Sequence, residues 1–355
     1  MANAQPAQRR AHRDGRDRVQ RALRDAPVGL ARTGRALEQL GLPPRRLPCP
    51  RRAPRWFLPR AIRRRLRPRT QTRRDMSTLK LGLAQTRQTA DLATNADTIL
   101  RFLEDASRAE VQLLAFPESQ TTGYRVDIST AEAPVQAEAL AELHQHVARR
   151  CGELGIACVL GTETPTDDKP HNSALIINEH GEILGAHHKA RLTPLDATAY
   201  SPGKTFDTWQ LCGITVGVVI CFEGFRFPEC TRECVAQGAQ LIIHPQNNTT
   251  RPNDWKLPVH TAMAVTRAAE NTVWFASCNI CHDEHQNARS LIIAPDGRIV
   301  AQSELKQEQL LTAEIDLALA TRAMYRFDRD DCGPIIFGTE VTPEEYAHAG
   351  PMAAG

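Results

Sequence analysis

The stretch GVVICFEGFRFPEC, residues 217–230, contains an apolar run that ends on Cys221 and is followed two residues later by a glutamate. Such a run predicts a buried strand, which has to stop here because Glu223 and Gly224 cannot continue it. A helix is predicted to begin near Pro228. A thiol on the turn between a strand and a helix is exposed and close to backbone N–H groups, which suits a nucleophile. The alternative is a core cysteine, since free cysteine is among the most buried residue types.

The charge of the chain changes abruptly at Met76. Residues 1–75 contain 22 arginines, no lysine and five acidic residues, a net charge of +17, whereas residues 76–355 contain 22 basic and 36 acidic residues, a net charge of −14. The first segment has too few apolar side chains to offset its chain entropy, so we expect disorder or an isolated helix. It is a basic arm for nucleic acid or anionic lipid, an organellar transit peptide, or sequence translated upstream of a true start at Met76. The change in composition favours the third interpretation.

Ten cysteines are scattered along the chain, and the Arg-Arg pair at residues 9–10 is not followed by the apolar stretch of an export signal. We therefore expect reduced thiols and a cytoplasmic location. Cys278 and Cys281 form a C-x-x-C with His282 and His285 close behind. That spacing is compatible with zinc, but no second ligand pair lies at a finger-like distance, so no metal is predicted. No run approaches the ~20 apolar residues of a membrane-spanning helix, so no membrane partner is expected.

From Leu79 onward, patterns of short strands alternate with patterns of amphipathic helices. Strands are predicted at 79–85, 111–116, 157–162, 240–245, 272–279 and 309–316 and as hairpins within 173–189, 205–221 and 289–303, and helices at 91–108, 134–153, 228–237 and about 254–271. Hairpins mixed with helical crossovers predict an α/β fold in which two sheets lie face to face with helices on their outer faces. No internal repeat is visible. We expect one domain at 76–320 and a C-terminal extension at 321–355.

Three ionisable residues each follow the end of an apolar run. LLAFPE delivers Glu118, GAHHKARL delivers Lys189, and VVIC delivers Cys221. Ligands gather at strand ends in layered sheet folds, so three acid–base groups at such positions predict a catalytic site. Each residue also has a structural interpretation: Glu118 as a helix cap or a solvated acid, Lys189 as a surface lysine, and Cys221 as a core residue.

Several short blocks occur in order around these three residues. They are FPE at 116–118 with TGY at 122–124, Lys189 with Leu192 behind it, Cys221 with RFPE at 226–229, Trp255, and RAAENTVWFASCN at 267–279. Together they resemble the amidase-like branch of the nitrilase, or carbon–nitrogen hydrolase, superfamily, over essentially all of 78–315. The resemblance implies a four-layer α-β-β-α sandwich, a Glu-Lys-Cys catalytic set, and no metal or organic cofactor.

The resemblance implies that Glu118, Lys189 and Cys221 are the catalytic residues. A thiol near its ordinary pKa is a weak nucleophile and needs an adjacent base and cation. Glu118 would take the thiol proton and later pass it to the departing amine or ammonia. Lys189 would lower the energy of the thiolate and, with the backbone N–H of Phe222, stabilise the tetrahedral oxyanion. Water activated by Glu118 would then release the acid from a covalent thioester.

Further residues are predicted to bind substrate or to support the catalytic groups. They are Tyr124, Asp196, Phe222, Glu223, Trp255 and Asn279. Phe222 and Glu223 stand where members of the family commonly carry tyrosine and aspartate. Asp196, a shorter acid, is available where many members place a second glutamate that supports the lysine. His187 and His188 replace an aromatic–basic pair. These departures bear on the substrate rather than on the class of reaction.

The favoured function is hydrolysis of a non-peptide carbon–nitrogen bond in a small linear amide or N-carbamoyl compound, with release of ammonia or an amine. The Cys-aromatic-Glu order is also similar to the Cys-Trp-Glu of true nitrilases, so conversion of a nitrile to an acid and ammonia is the alternative. An acyltransferase is less favoured because the membrane-bound acyltransferases of the family need transmembrane helices. An inactive binding protein is less favoured because all three reactive positions are intact. The net charge of −14 after residue 75 disfavours a nucleic-acid partner.

The segment MYRFDRDDCGPIIFGTEVTPEEY, residues 324–346, mixes large apolar side chains with acids. It is too apolar for a free end and too short to form its own core. Members of the family that the chain resembles pack in pairs, with C-terminal extensions reaching across. We therefore expect a homodimer or a larger even homo-oligomer whose interface includes 321–340 and the helices near Cys221.

Overall fold

Two six-stranded sheets form the centre of the protein in a computed structural model, which describes residues 78–126, 136–249 and 255–322. The strands are β1 Thr78–Gln85, β2 Leu113–Ala115, β3 Ala157–Thr164, β4 His171–Ile177, β5 Ile183–His188, β6 Thr208–Leu211, β7 Ile214–Val218, β8 Leu241–Gln246, β9 Trp274–Asn279, β10 Leu291–Ile293, β11 Ile299–Gln302 and β12 Gln309–Asp316. The helices are α1 Leu92–Arg108, α2 Ala137–Leu154, α3 Asp196–Ala199, α4 Phe222–Arg226, α5 Pro228–Ala236 and α6 Lys256–Asn271, and a 3-10 helix covers Leu317–Leu319. The predictions for residues 1–75 and for the extension beyond Arg322 lie outside the described residues.

The first sheet has the strand order β12-β1-β2-β3-β4-β5. Its strands β1, β2 and β3 are parallel and are connected through α1 and α2, as parallel neighbours require a crossover. The chain then continues through β4 and β5 as antiparallel neighbours. At the opposite edge, β12 pairs antiparallel with β1 along its whole length.

The second sheet, with the order β11-β10-β9-β8-β7-β6, repeats this path. Its strands β7, β8 and β9 are parallel and are connected through α4 and α5 and then through α6. The strands β10 and β11 follow as antiparallel neighbours, and β6 is added to β7 as β12 is added to β1. The repeat lies in the topology rather than in the residues, which explains why the sequence shows none.

Alternating side chains along the strands build three apolar layers. Leu81 of β1 packs with Val218 and Ile243 of the second sheet in the space between the sheets. Phe116, just after β2, packs in the layer beneath α1 and α2, and Phe275 of β9 packs in the layer beneath α5 and α6. All five side chains are fully buried. The predicted four-layer α-β-β-α sandwich is thereby confirmed.

The start of the first helix after Cys221 differs from the prediction. The helix expected near Pro228 is α5, but α4 begins directly at Phe222. Phe227 separates the two helices with φ −123° and ψ 89°, outside the helical region, because the residue before a proline is disfavoured in that region. Within the described ranges, no helix has the length and apolar character needed to cross a bilayer.

Candidate active site

Cys221 lies on the turn between the end of β7 and the first residue of α4. Its φ of 47° and ψ of −103° are rarely adopted by a non-glycine residue, and such a conformation costs about 1–3 kcal/mol. The Cys221 N–H donates to the carbonyl of Pro245 at 2.8 Å, and the Phe225 N–H donates to the Cys221 carbonyl at 3.2 Å. The residue is partly exposed and packs at the border of the core between the sheets, so it is not an ordinary core cysteine.

Glu118 follows β2 and is buried. Its Oε1 accepts hydrogen bonds from the Lys189 ammonium at 2.6 Å and from the Asn172 side-chain amide at 2.8 Å. Its Oε2 accepts a hydrogen bond from the backbone N–H of Asn247 at 2.8 Å. Donors from three separate segments thus fix the orientation of this carboxyl group, which is the arrangement that a buried charge requires.

The backbone that carries Glu118 passes very close to β3 at Gly161. A Cβ on Gly161 would lie 1.8 Å from the carbonyl oxygen of Pro117, so only glycine fits here. The Thr121 N–H also donates to the Gly161 carbonyl at 3.1 Å. The segment around Glu118 is therefore held against the sheet by its backbone.

Lys189 follows β5 directly, and its side chain is fully buried. Besides its contact with Glu118, the ammonium forms an ion pair with Asp196 at 3.0 Å and lies 6.0 Å from the centre of the Tyr124 ring. Asp196 also accepts hydrogen bonds from the Tyr124 hydroxyl and, at 2.9 Å, from the Thr193 N–H. The first turn of α3 thus brings the shorter acid Asp196 into direct contact with the lysine.

Two carboxyl groups share one lysine in this buried site. Burial raises the pKa of Glu118, and the charge of Asp196 raises it further, against the opposing attraction of Lys189. Burial would also raise the pKa of Asp196, but Lys189 and the hydrogen bonds from Tyr124 and Thr193 hold it below its usual value. Burial would lower the pKa of Lys189, but the surrounding negative groups raise it well above its usual value. Of the two carboxyl groups, Glu118 is therefore the one with the raised pKa, which makes it the stronger base.

The thiol of Cys221 is not ionised by its surroundings. Burial raises its pKa, and the charge of Glu118 raises it further, whereas Lys189 acts in the opposite direction. The expected lowering by Lys189 is thus present but outweighed, because removing a thiolate from water costs more than one nearby cation returns. The thiol is therefore protonated at neutral pH.

Glu223 connects the nucleophile turn with the segment that carries Lys189. Its Oε2 accepts a hydrogen bond from the Ile220 N–H at 2.6 Å and lies 2.8 Å from His187 Nε2. Its Oε1 accepts a hydrogen bond from the Ala190 N–H at 2.6 Å. Burial would raise the pKa of Glu223, but His187 and these N–H groups hold it below its usual value. The geometry gives Glu223 a supporting role.

The remaining predicted residues differ in their relation to the site. Asn279 is buried at the end of β9, and its Oδ1 accepts a hydrogen bond from the Asn248 N–H at 2.9 Å. Phe222 begins α4, and its ring packs edge-on against Phe227, with centroids 5.2 Å apart. Trp255 lies just before α6 with 53% of its surface exposed. No hydrogen bond, ion pair or ring contact among the described residues joins Trp255 to Glu118, Lys189 or Cys221.

The sequence analysis missed three asparagines. Asn172 and the backbone of Asn247 donate to Glu118, and the side-chain amide of Asn248 lies 3.7 Å from Cys221 Sγ. A signal for two of them was available, because Asn247 and Asn248 follow the apolar run of β8 just as Glu118 and Cys221 follow theirs. The pattern of ionisable residues at strand ends does not include them, because their side chains are neutral.

The C-x-x-C of the sequence analysis is built into the fold. The Cys278 thiol is fully buried between the sheets and donates to the Ala115 carbonyl at 3.3 Å. Cys281 donates its backbone N–H to the carbonyl of Thr86 at 2.8 Å. In the part of the chain that the structure describes, no three His, Cys, Asp or Glu side chains are grouped as a metal site.

The two-sheet fold agrees with a comparison with protein families. The model of the carbon–nitrogen hydrolase family matches residues 80–325, well over half of the chain. The chain therefore belongs to the carbon–nitrogen hydrolase family. It is an enzyme that hydrolyses carbon–nitrogen bonds other than peptide bonds.

Individual relatives narrow this class. The chain is 27% identical over 263 residues to omega-amidase NIT2 of Xenopus tropicalis, which covers 68% of this chain and 90% of the relative. It is 31% identical over 248 residues to the hydrolase in the pqqF 5'region of Pseudomonas protegens, at 68% and 84% coverage.

Solved structures of the amidase from Nesterenkonia sp. AN1 are also similar. A mutant in complex with butyramide is 26% identical with a TM-score of 0.62, covering 72% of this chain and 95% of that chain. Another mutant, 25% identical with a TM-score of 0.62 and the same coverage, shows covalent addition of the acetamide moiety of fluoroacetamide at the active-site cysteine. The predicted amidase-like branch of the nitrilase superfamily is confirmed, and the chemistry is hydrolysis of amides.

Proposed function

We propose that this protein hydrolyses a small linear amide or an N-carbamoyl compound through a thioester on Cys221, with Glu118 as general base and acid. The observation that carries the proposal is the buried contact of 2.6 Å between Lys189 and Glu118, joined to the strained turn of Cys221 through the 244–248 segment. The relative named (R)-stereoselective amidase and the butyramide complex of the Nesterenkonia amidase support an amide substrate.

In the first step, the Cys221 sulfur attacks the carbonyl carbon while its proton passes to Glu118. The raised pKa of the thiol keeps the proton on sulfur until attack, and the raised pKa of Glu118 makes it a stronger base than an ordinary carboxylate. The carbon–sulfur bond forms, and the carbonyl electrons move onto oxygen. Lys189 and the Phe222 N–H stabilise this oxyanion.

In the second step, Glu118 protonates the nitrogen of the tetrahedral intermediate. The carbon–nitrogen bond breaks, ammonia or an amine leaves, and the carbonyl re-forms as a thioester. Water then attacks the thioester carbon and gives a proton to Glu118. The carbon–sulfur bond breaks, the acid is released, and Cys221 regains the proton from Glu118. Amide and water are thus converted to acid and ammonia or amine.

The proposal is tested by intact-mass analysis after incubation with a panel of linear amides, nitriles and N-carbamoyl compounds, with ammonia release measured in parallel. We expect an acyl adduct on Cys221 and ammonia from an amide or carbamoyl compound, and neither from the Cys221→Ala control. Ammonia released from nitriles alone would replace the proposal with the nitrilase alternative. Amide hydrolysis that survives Cys221→Ala would contradict the thioester.

Two further predictions accompany this function. The eight cysteines among the described residues are free thiols, which supports the expected cytoplasmic location. The homodimer or larger even oligomer rests on the sequence of 321–340 and on the family resemblance. Light scattering of the full chain and of a chain ending at Ala320 checks it, because equal monomeric mass and equal activity would remove the role of the extension.

A further inference from the structure

Three residues near the end of β8 contact the nucleophile at three different atoms. The Pro245 carbonyl accepts the Cys221 N–H at 2.8 Å. His244 Nε2 lies 2.9 Å from the Cys221 carbonyl oxygen, and the side-chain amide of Asn248 lies 3.7 Å from Cys221 Sγ. Because Cys221 has a φ of 47°, these contacts hold a conformation that the residue would otherwise leave.

His244 and Asn248 are also joined to each other through two further buried side chains. His244 Nδ1 lies 2.8 Å from Ser277 Oγ, Gln246 Nε2 donates to the same oxygen at 2.6 Å, and Asn248 Nδ2 donates to Gln246 Oε1 at 2.7 Å. Together with the two contacts to Cys221, these bonds close a ring. We call these five residues the nucleophile ring.

Donor and acceptor roles around the nucleophile ring follow from its chemistry. A carbonyl oxygen only accepts, so His244 donates from Nε2 to Cys221. Burial lowers the pKa of His244 to about 4, so the imidazole is neutral and its Nδ1 accepts from Ser277. Ser277 in turn accepts from Gln246, and Gln246 accepts from Asn248. The amide of Asn248 has a second N–H, which serves the sulfur of Cys221.

The imidazole of His244 is enclosed where it meets the nucleophile turn. A Cβ on Gly224 would lie 2.6 Å from His244 Nε2. The imidazole therefore lies directly against the backbone of α4. Phe225 packs edge-on against the imidazole with centroids 4.7 Å apart, and Phe275 packs at 5.2 Å. A side chain enclosed in this way transmits its position to Cys221.

We propose that His244 is a positioning residue for the nucleophile, which fixes the strained turn of Cys221 and, through the nucleophile ring, directs an N–H of Asn248 at the sulfur. The inference rests on the proposed function in taking Cys221 as the attacking group. Misplacing a reacting atom by about 1 Å costs on the order of 10²-fold in rate. The effect falls on kcat rather than on KM, because the ring contacts the nucleophile and acts on its attack.

Substitutions at position 244 separate the two ends of the imidazole. His244→Gln keeps a donor at the reach of Nε2, whereas the shorter His244→Asn reaches only towards Ser277, and His244→Phe keeps neither bond. We expect His244→Phe and His244→Asn to lower kcat for a linear amide by about 10- to 100-fold with KM within about threefold. His244→Gln should restore most of kcat. The control is Ser303→Ala, which removes a buried hydroxyl bonded to Gln85 at 2.7 Å and should leave kcat unchanged.

A second measurement does not need amide turnover. Iodoacetamide modifies Cys221 at a rate that peptide mass analysis follows, and we expect this rate to fall in His244→Phe and Ser277→Ala and to recover in His244→Gln. Equal rates in all variants, or equal impairment of the Gln and Asn variants, would overturn the positioning role. Ring-dependent modification in a protein that hydrolyses no amide would instead keep this role and reject the proposed function. If His244→Phe does not fold, Ser277→Ala and the Gln–Asn pair decide.

Discussion

The half of the protein built on the first sheet and the half built on the second follow the same path but carry different chemistry. In the first half, Glu118 follows β2 and Lys189 follows β5. In the second half, Cys221 follows β7, and the neutral residues Asn247 and Asn248 follow β8. In the proposed mechanism, the acid–base group and the cation thus come from one half, and the nucleophile with its amide donors comes from the other. The proposed site therefore needs both halves.

Hydrogen bonds across the two halves set the alignment of these groups. Asn247 donates its backbone N–H to Glu118 at 2.8 Å, and Glu223 accepts the N–H of Ala190 at 2.6 Å. The distance between Glu118 and the Cys221 sulfur therefore depends on how one sheet packs on the other. Asn247 and Glu223 contribute to the candidate site through this alignment.

Removal of the Cys221 sulfur is expected to have the largest effect on kcat, because it takes the nucleophile from the second half. Cys221→Ala should lower kcat by at least about 10³-fold, because no other group replaces the nucleophile. The fold should be retained, since the residue is partly exposed. Ammonia release and thermal unfolding measure both. A loss of no more than about tenfold, roughly 1.4 kcal/mol of barrier, would exclude Cys221 as nucleophile.

Loss of the proposed base, Glu118, removes proton transfer by the first half. Glu118→Gln keeps the shape of the side chain but removes proton transfer, so kcat should fall by about 10²- to 10⁴-fold. The matched control is Glu110→Gln, whose side chain is 88% exposed and, among the described residues, forms an ion pair with Lys80. Steady-state kinetics of both variants on one amide give the comparison. Similar rates for the two would show that Glu118 transfers no proton.

The dependence of kcat/KM on pH tests the raised pKa of Glu118 in the first half. The base acts when ionised, so kcat/KM should fall about tenfold per unit as the pH drops below the pKa of Glu118. Because burial and Asp196 raise that pKa, the acid limb should lie above the ordinary glutamate range. A limb at or below about 4.3, the ordinary value, would contradict the raised pKa.

Glu223→Gln weakens the connection between the halves. One oxygen becomes a donor and meets N–H groups, so the free energy of unfolding should fall by about 1–3 kcal/mol and kcat by about tenfold. The folded pKa of Glu223 is lowered, so its stabilisation is present at neutral pH and lost as the pH falls through that value. The variant should therefore lose less stability on acidification.

Chemical unfolding at several pH values measures this effect, and Glu163→Gln provides the control. Glu163 is equally buried, but its ion pair with Arg125 at 2.7 Å stays within the first half. Both variants should be less stable, and only Glu223→Gln should lose the tenfold in kcat. If Glu163→Gln lost as much kcat, general destabilisation would replace the connection as the explanation.

The smallest effect is expected at Trp255, which lies outside the connection between the halves. Trp255→Ala should change the free energy of unfolding by no more than about 0.5 kcal/mol, because the side chain is exposed. The prediction that it binds substrate is tested by KM. An unchanged kcat with a raised KM would support that role, and no change in either would remove it.

The layers, and the placement of Glu118, Lys189 and Cys221 at strand ends, could be predicted from local patterns. Runs such as LKLGLAQ have the strand period, and strand ends are where polar groups gather. The short motifs that resemble the family then indicated Glu118, Lys189 and Cys221 as the catalytic candidates. These features can be predicted from the sequence because they depend on the hydrophobicity of residues that are neighbours along the chain.

The supporting groups could not be predicted in the same way. Asn247 acts through its backbone N–H, which every residue but proline has. His244 and Ser277 lie on adjacent strands but 33 positions apart in the sequence, and they meet only through the β8–β9 pairing. The raised pKa of Cys221 depends on three-dimensional burial. Such features arise from packing rather than from a local pattern.

The pairing of β12 with β1 has a consequence for biosynthesis. Thr78 is aligned with Asp316 and Gln85 with Gln309. The first described strand, β1, can therefore complete its pairing only after the last one, β12, has been synthesised. While a ribosome is still translating the middle of the chain, one edge of β1 has no partner and offers free N–H and C=O groups. The sheet that carries Glu118 is completed only after residue 316 has emerged. One edge of β1 therefore stays unpaired until late in the synthesis of the chain.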